Sequence, residues 1–364
     1  MFLPIDTLLK FKRVSKCWHT LISSHNFTKL RTPFSTLPSG LFLSTYSHCC
    51  DPYYFIHFSS NQKLSCAVPF KEYLAFAEEK IEIKILQSCN GLFLSSTSLW
   101  FPQNNRCFIY NPTTNQHCEI PPPNCESSKI FCVSLAFDPS KSPHYKVVCV
   151  GEEKGDKSCQ IEIYSSNKES WRASSCDFVT APYGTNLYGD LFYNGAIHWL
   201  SSFESTLMSF NVDEEQIRDT TLPRKPDNNN DNVIAGQWGT IRYFVACRDQ
   251  LHLIDIYGPR TLKFDVFEMA NDYSSWFVKY QVDLNAVSYI FPSMLPDWFS
   301  VLCIVQGKVG EDSYLVLDTP VNVLVRYNFK DKTLYKLCDI GIESTMMMNY
   351  TDVYQYIESL YCLW

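Results

Sequence analysis

The hydrophobic pattern of this chain changes period between its first thirty-odd residues and the rest. Leu8, Phe11, Val14 or Cys17, Trp18, Leu21 and Ile22 recur at three- and four-residue intervals, which places them on one face of a helix. Beyond Gly40 this spacing gives way to short runs of aromatic and β-branched residues, each closed by a polar turn and followed by a second such run. The elements predicted are a short helical segment and then a long series of β-hairpins.

The hairpins repeat. The runs from Phe108 to Pro121 and from Ile161 to Arg172 align without gaps around Tyr110 and Tyr164, and further copies run from Leu207 to Ile217 and from Val323 to Tyr335. Weaker copies lie from Tyr54 to Val68 and from Leu262 to Tyr280, with Trp276 in the second strand. A period of about 50 residues is that of four-stranded propeller blades of the kelch sort, and six would fill the body. Inner strands are expected at Gly91–Leu94, Tyr145–Val150 and Gly195–Leu200, two of them introduced by the turn pairs Asn90-Gly91 and Asn194-Gly195. The paired glycines usual in kelch repeats are absent. The run from Pro226 to Asn232 reads as a solvated loop between blades.

Composition fits a folded, core-forming protein, with 46% hydrophobic, 15% aromatic and 19% charged residues. Charge is unevenly placed. Up to Arg31 the chain carries Lys10, Lys12, Arg13, Lys16, Lys29 and Arg31 against Asp6 alone, a net of +5, leaving −12 for the remainder of a −7 chain. An acidic body argues against nucleic acid as a partner. The basic head suits an acidic protein better than a membrane, because its apolar face is short. No uninterrupted apolar run approaches a membrane span, and Pro4, Asp6 and Lys10 break the start as a signal segment. The 16 cysteines lack C-x-x-C spacing and lie in strand-like runs, which points to buried free thiols in a reducing compartment, cytosol or nucleus.

No nucleophile, phosphate-loop, dinucleotide or zinc-protease motif occurs, so no catalytic residue, cofactor or metal site is expected. Trp171, Trp199 and Trp276 recur at repeat positions and read as inter-blade core rather than a ligand groove. His198 faces away from Trp199 in its strand and reads as a hydrogen-bonded structural histidine. Glu152, Glu153, Asp213, Glu214 and Glu215 adjoin turns and read as solvated charges.

The head resembles the C-terminal part of an F-box, the helical motif that hooks an adaptor onto the Skp1 subunit of a cullin-RING ubiquitin ligase. Leu3-Pro4, Leu8-Leu9, Lys10-Phe11-Lys12, Val14-Ser15-Lys16, Trp18 and Leu21-Ile22-Ser23 carry the resemblance, with His25-Asn26-Phe27 as the exit from its last helix. The body resembles the kelch-like F-box-associated domain of the same plant proteins. Its landmarks are Ser88–Leu92, Tyr110–Thr114, Ala136–Pro139, Tyr145–Val148, Ile163–Ser165, Trp171-Arg172, Asn194–Trp199 and the terminal Tyr356–Leu360.

The resemblance implies a mainly β fold, a kelch-like propeller of about six blades over 36–364 behind a partial, helical F-box over 1–35. It implies a non-catalytic substrate adaptor of a Skp1-cullin-F-box ligase, with a Skp1-like protein, through it cullin, and a target protein as partners. Leu3, Pro4, Leu8, Leu9, Phe11, Val14, Ser15, Lys16, Trp18, Leu21 and Ile22 are the docking candidates. An F-box normally opens with a further helix ahead of the Leu-Pro, which this sequence does not include. At about 25 cal/mol per Å² of buried apolar surface, its loss would weaken docking by several kcal/mol. The alternative is therefore an interaction propeller without ligase docking, and a more distant one a propeller enzyme or lectin with ligands in its central channel.

Overall fold

The computed structural model describes residues 3–31, 38–45, 54–58, 83–97, 106–123, 130–152, 158–176, 178–179, 187–201, 206–223, 241–247, 250–256, 262–285, 299–307, 313–319, 323–339 and 350–363. The Pro226–Asn232 run and the second half of the Tyr54–Val68 hairpin lie outside them.

Three short helices open the chain: α1 (Ile5–Lys12), α2 (Lys16–Ser23) and α3 (His25–Arg31). Their boundaries follow from local chemistry. The Pro4 carbonyl accepts the Thr7 and Leu8 amides at 3.1 and 3.2 Å. Ser15 caps α2 by accepting the Trp18 amide at 3.2 Å. Ser24 both ends α2, donating to the Leu21 carbonyl at 2.7 Å, and starts α3, accepting the Phe27 amide at 3.3 Å.

Antiparallel sheets arranged as six blades make up the body. The first blade begins with β1 (Gly40–Thr45) and β2 (Tyr54–His57). The second is β3 (Lys84–Cys89), β4 (Leu92–Ser96), β5 (Cys107–Asn111) and β6 (Gln116–Ile120). The third is β7 (Ile130–Ala136), β8 (Lys146–Glu152), β9 (Ser158–Ser165) and β10 (Ser170–Ala173), with β11 (Phe178–Val179) added beside β9. The fourth is β12 (Leu187–Tyr193), β13 (Ala196–Ser201), β14 (Thr206–Asn211) and β15 (Gln216–Thr221). The fifth is β16 (Ile241–Cys247), β17 (Gln250–Ile256), β18 (Lys263–Met269) and β19 (Trp276–Asp283). The sixth is β20 (Ser300–Val305), β21 (Tyr314–Asp318), β22 (Val323–Asn328) and β23 (Leu334–Asp339). β24 (Tyr350–Tyr356) then pairs with β1 and completes the first blade. Strands from both ends of the propeller sequence thus close the ring.

Five of the hairpins expected from sequence are the outer pairs β5–β6, β9–β10, β14–β15, β18–β19 and β22–β23. The strands expected ahead of three of them are β4, β8 and β13, each second in its blade, and an innermost strand precedes each one. Asn90-Gly91 and Asn194-Gly195 both adopt positive φ, 47° and 89° in the first pair and 48° and 82° in the second.

The core lies in the seams between blades. Alternation along a strand sends successive residues into opposite seams, so second strands are buried on both faces and read as unbroken apolar runs. Leu92 and Leu94 of β4 meet Leu135 and Val147 of the third blade, whereas Phe93 meets Phe42 and Tyr356 of the first. Val148 and Val150 of β8 join Ile197 and Trp199 of β13. Trp199 donates its indole N–H to Ser134 Oγ at 3.2 Å, and Trp171 donates to the Pro121 carbonyl at 2.7 Å, each across a seam. Trp276 is half-buried against the seam between the fourth and fifth blades. His198 is fully buried, with Nε2 3.3 Å from the Tyr193 carbonyl oxygen and its ring stacked on Tyr273.

One turn acid departs from the solvated role expected of it. Glu215 binds the Arg172 guanidinium, the Ser174 hydroxyl at 2.8 Å and the Ser175 amide at 2.9 Å. These partners belong to the third blade and its exit, so Glu215 clamps a seam. The Arg172 hydrogen bond, helped by Ser175, Ser174 and the guanidinium charge, holds its carboxyl down at about 2. Asp213 makes a second link, to Lys146 at 2.7 Å, and Glu214 pairs with Arg218 at 3.9 Å.

Candidate docking site on the helical head

The three helices divide their apolar residues between two directions. Ile5, Leu8 and Ile22 turn inward and form one buried cluster with Leu360 from the segment after β24, with Leu9, Phe11 and Phe27 packed at its edge. Leu3, Val14, Trp18 and Leu21 remain exposed, at 47, 66, 43 and 50%. Trp18 and Leu21 share a face of α2 by their three-residue spacing. Trp18 stacks one side of its ring on Phe11 of α1, centroids 5.5 Å apart, which holds the indole against the head while its edge and other face meet solvent.

The docking candidates therefore separate. Leu3, Pro4, Val14, Ser15, Lys16, Trp18 and Leu21 are exposed, Leu9 and Phe11 are half-buried, and Leu8 and Ile22 are covered by the rest of the chain. Ser15 is committed to the α2 cap. Lys10, Arg13 and Lys16 are exposed on the same stretch of chain and make no ion pair among the described residues. The head thus leaves Leu3, Val14, Trp18 and Leu21 in solvent, together with Leu30 of α3 at 71%. Large aromatic anchors ringed by polar groups are the usual carriers of interface energy.

Two features of the head were not among the docking candidates. Ile5 is buried, and its spacing from Leu8 was visible in the helical pattern. Leu360 could not be found this way, since its partners lie at the opposite end of the chain.

Among the described residues, no three His, Cys, Asp or Glu side chains come together as a metal site. Every cysteine whose side chain is described is a free thiol, most of them buried or half-buried, and burial pushes Cys89 up to about 12 and Cys107 up to about 11. Among the described residues, no helix is long and apolar enough to cross a membrane.

Residues 41–243 match the family described as the F-box associated beta propeller domain. The chain is similar to the F-box protein At5g07610 of Arabidopsis thaliana, 33% identical over 369 residues that cover 93% of this chain and 83% of that protein. It is also similar to the Arabidopsis F-box protein At5g49610, 24% identical over 351 residues covering 89% and 84% of the two chains. A third relative, the F-box/kelch-repeat protein At3g23880 of the same plant, is 21% identical over 61% of this chain and 62% of its own length. With three short helices ahead of a six-bladed propeller, and with these relatives, the chain belongs to the plant F-box proteins that carry an F-box-associated β-propeller.

Proposed function

We propose that the chain is the substrate-recognition subunit of a Skp1-cullin-F-box ubiquitin ligase, without chemistry of its own, working in the cytosol or nucleus. Its head holds a Skp1-like protein and, through it, cullin. Its propeller holds a target protein near the ubiquitin-loaded enzyme, so that the effective concentration of target lysine at the thioester rises and transfer becomes effectively intramolecular. One observation carries the reading: Leu3, Val14, Trp18 and Leu21 stay exposed while Ile5, Leu8 and Ile22 are buried with Leu360. The uncovered set belongs to the stretch that resembles the F-box, and the exposed cations Lys10, Arg13 and Lys16 of the same stretch suit an acidic partner.

Capture of a Skp1-like protein by the purified chain tests this. Trp18→Ala is expected to lower capture at least tenfold, the scale of a lost aromatic anchor, with Lys16→Glu giving a smaller loss that shrinks as salt rises. No capture by the unaltered chain, or capture indifferent to Trp18, overturns the docking reading and favours a propeller that binds its partners outside a ligase.

A further inference from the structure

We infer that the helical head is a composite unit: the strap of residues 357–363 that follows β24 supplies part of its core, and the head is ordered only with that strap in place. Helices of 8, 8 and 7 residues are too short to persist in water by their own hydrogen bonds. Tertiary packing must hold them, and the packing available is the cluster of Ile5, Leu8, Ile22 and Leu360. One of its four buried members is contributed by the strap. The strap makes a second contact with α1, where the Lys12 ammonium donates to Cys362 Sγ at 3.4 Å.

On its other side the strap is bound to the second and third blades. The Asn111 amide of β5 donates to the carbonyls of Ser359 and Tyr361, at 3.2 and 2.6 Å. Thr113 Oγ1 accepts the Ser359 amide at 3.0 Å, and Gln116 Oε1 accepts the Leu363 amide at 3.2 Å. Tyr361 packs its ring on Phe137 and donates its hydroxyl to the Pro143 carbonyl. Gly91 leaves the strap its path: a Cβ there would run into Cβ of Ser359 and come within 2.9 Å of the Ile357 carbonyl oxygen. The strap is thus a fixed rail seated across two blades, and the head rests on the Leu360 side of it.

The inference goes beyond the docking reading, because it concerns what orders the head in the free chain. Residues 357–363 would control docking without belonging to the docking surface. Hydrogen exchange of the full chain, read by peptide, tests it with Leu360→Asp. Amides of α1 and α2 are expected to exchange at least tenfold faster, while those of β4, β8 and β13 keep their protection. Ile5→Asp, placed on the head's side of the same contact, is expected to give the same pattern even where Leu360→Asp also disturbs the strap. Unchanged head exchange in Leu360→Asp, or equal loss in head and blades in both variants, overturns the inference. Capture of a Skp1-like protein separates the two readings: Trp18→Ala lowers capture with α1 exchange unchanged, whereas Leu360→Asp lowers capture and speeds α1 exchange. Fast head exchange in Leu360→Asp with no capture even by the unaltered chain would uphold the composite head and sink only the docking reading.

Discussion

The seams of the propeller and the core of the head are built from the same kinds of side chain, yet they differ in redundancy. Each strand such as β4 or β8 serves two seams at once, Leu92 and Leu94 on one face and Phe93 on the other, so every blade is held from both sides and the closing β1–β24 pairing leaves no end blade with a free flank. Among the described residues, the head's apolar core is one cluster, Ile5, Leu8 and Ile22 with Leu360 of the strap. Damage to a seam is therefore expected to register across the propeller, and damage to the head to stay within it. Cohesion in the propeller is collective, whereas order in the head is conditional.

The severest way to break that contrast is to open a seam. Trp199 is 1% exposed, fills the junction of the third and fourth blades and donates to Ser134 across it. Trp199→Ala removes that volume and the hydrogen bond to Ser134, at an expected cost of about 3–5 kcal/mol. Thermal unfolding of the whole propeller should move down accordingly, and exchange should rise in β8 and β13 alike. A loss confined to one blade would contradict the collective picture.

A gentler substitution probes the other side of the comparison. Ser15 caps α2 through its hydroxyl and is itself exposed, so Ser15→Ala costs about 1 kcal/mol of helix stability and nothing in any seam. Faster exchange in α2 with an unchanged propeller melting temperature is the expected result. A shift of the propeller melt by the same substitution would show that the head is part of the ring's stability rather than a passenger on the strap.

The same contrast explains how far the sequence could be read. Hairpins are local objects, and the polar turns between Tyr110 and Gln116 or between Tyr164 and Trp171 mark them without knowledge of the rest of the chain. The alternation in Ile197-His198-Trp199 likewise assigned opposite faces to His198 and Trp199, and the structure places the two in different seams. What escaped was set by topology. Arg172 and Glu215 are 43 residues apart and meet only because successive blades stand side by side. Leu360 meets Ile5 only because the strap runs back under the head after the ring has closed. On the head, periodicity identified an apolar set without saying which members face inward. Leu8 and Trp18 belong to one helical pattern, and only the position of the strap assigns the first to the core and the second to solvent.

The smallest expected effect concerns the Glu215 clamp, and it sharpens the comparison by loading a single seam electrostatically. The carboxyl of Glu215 lies at about 2 in the folded chain against an ordinary 4.5, because the charged form is the one that Arg172, Ser174 and Ser175 hold. A folded value below the unfolded one means that the unfolded chain binds the proton more tightly. The clamp's contribution is therefore whole above about pH 4.5 and drains away as pH falls toward 2. Glu215→Gln removes the charge at every pH while keeping the shape. The melting difference between the unaltered chain and Glu215→Gln should be constant from pH 7 to 5 and shrink steadily below 4.5. Arg172 is about half-exposed, so solvent and salt screen the pair and the difference should be small and should fall further with added salt. Because the clamp joins the turn after β14 to the third blade, the variant is expected to loosen β10 and β15 while α1 and α2 exchange as before. Acceleration of head exchange by Glu215→Gln would mean that the two regions are coupled through the ring, and the division between a collective propeller and a conditional head would fail.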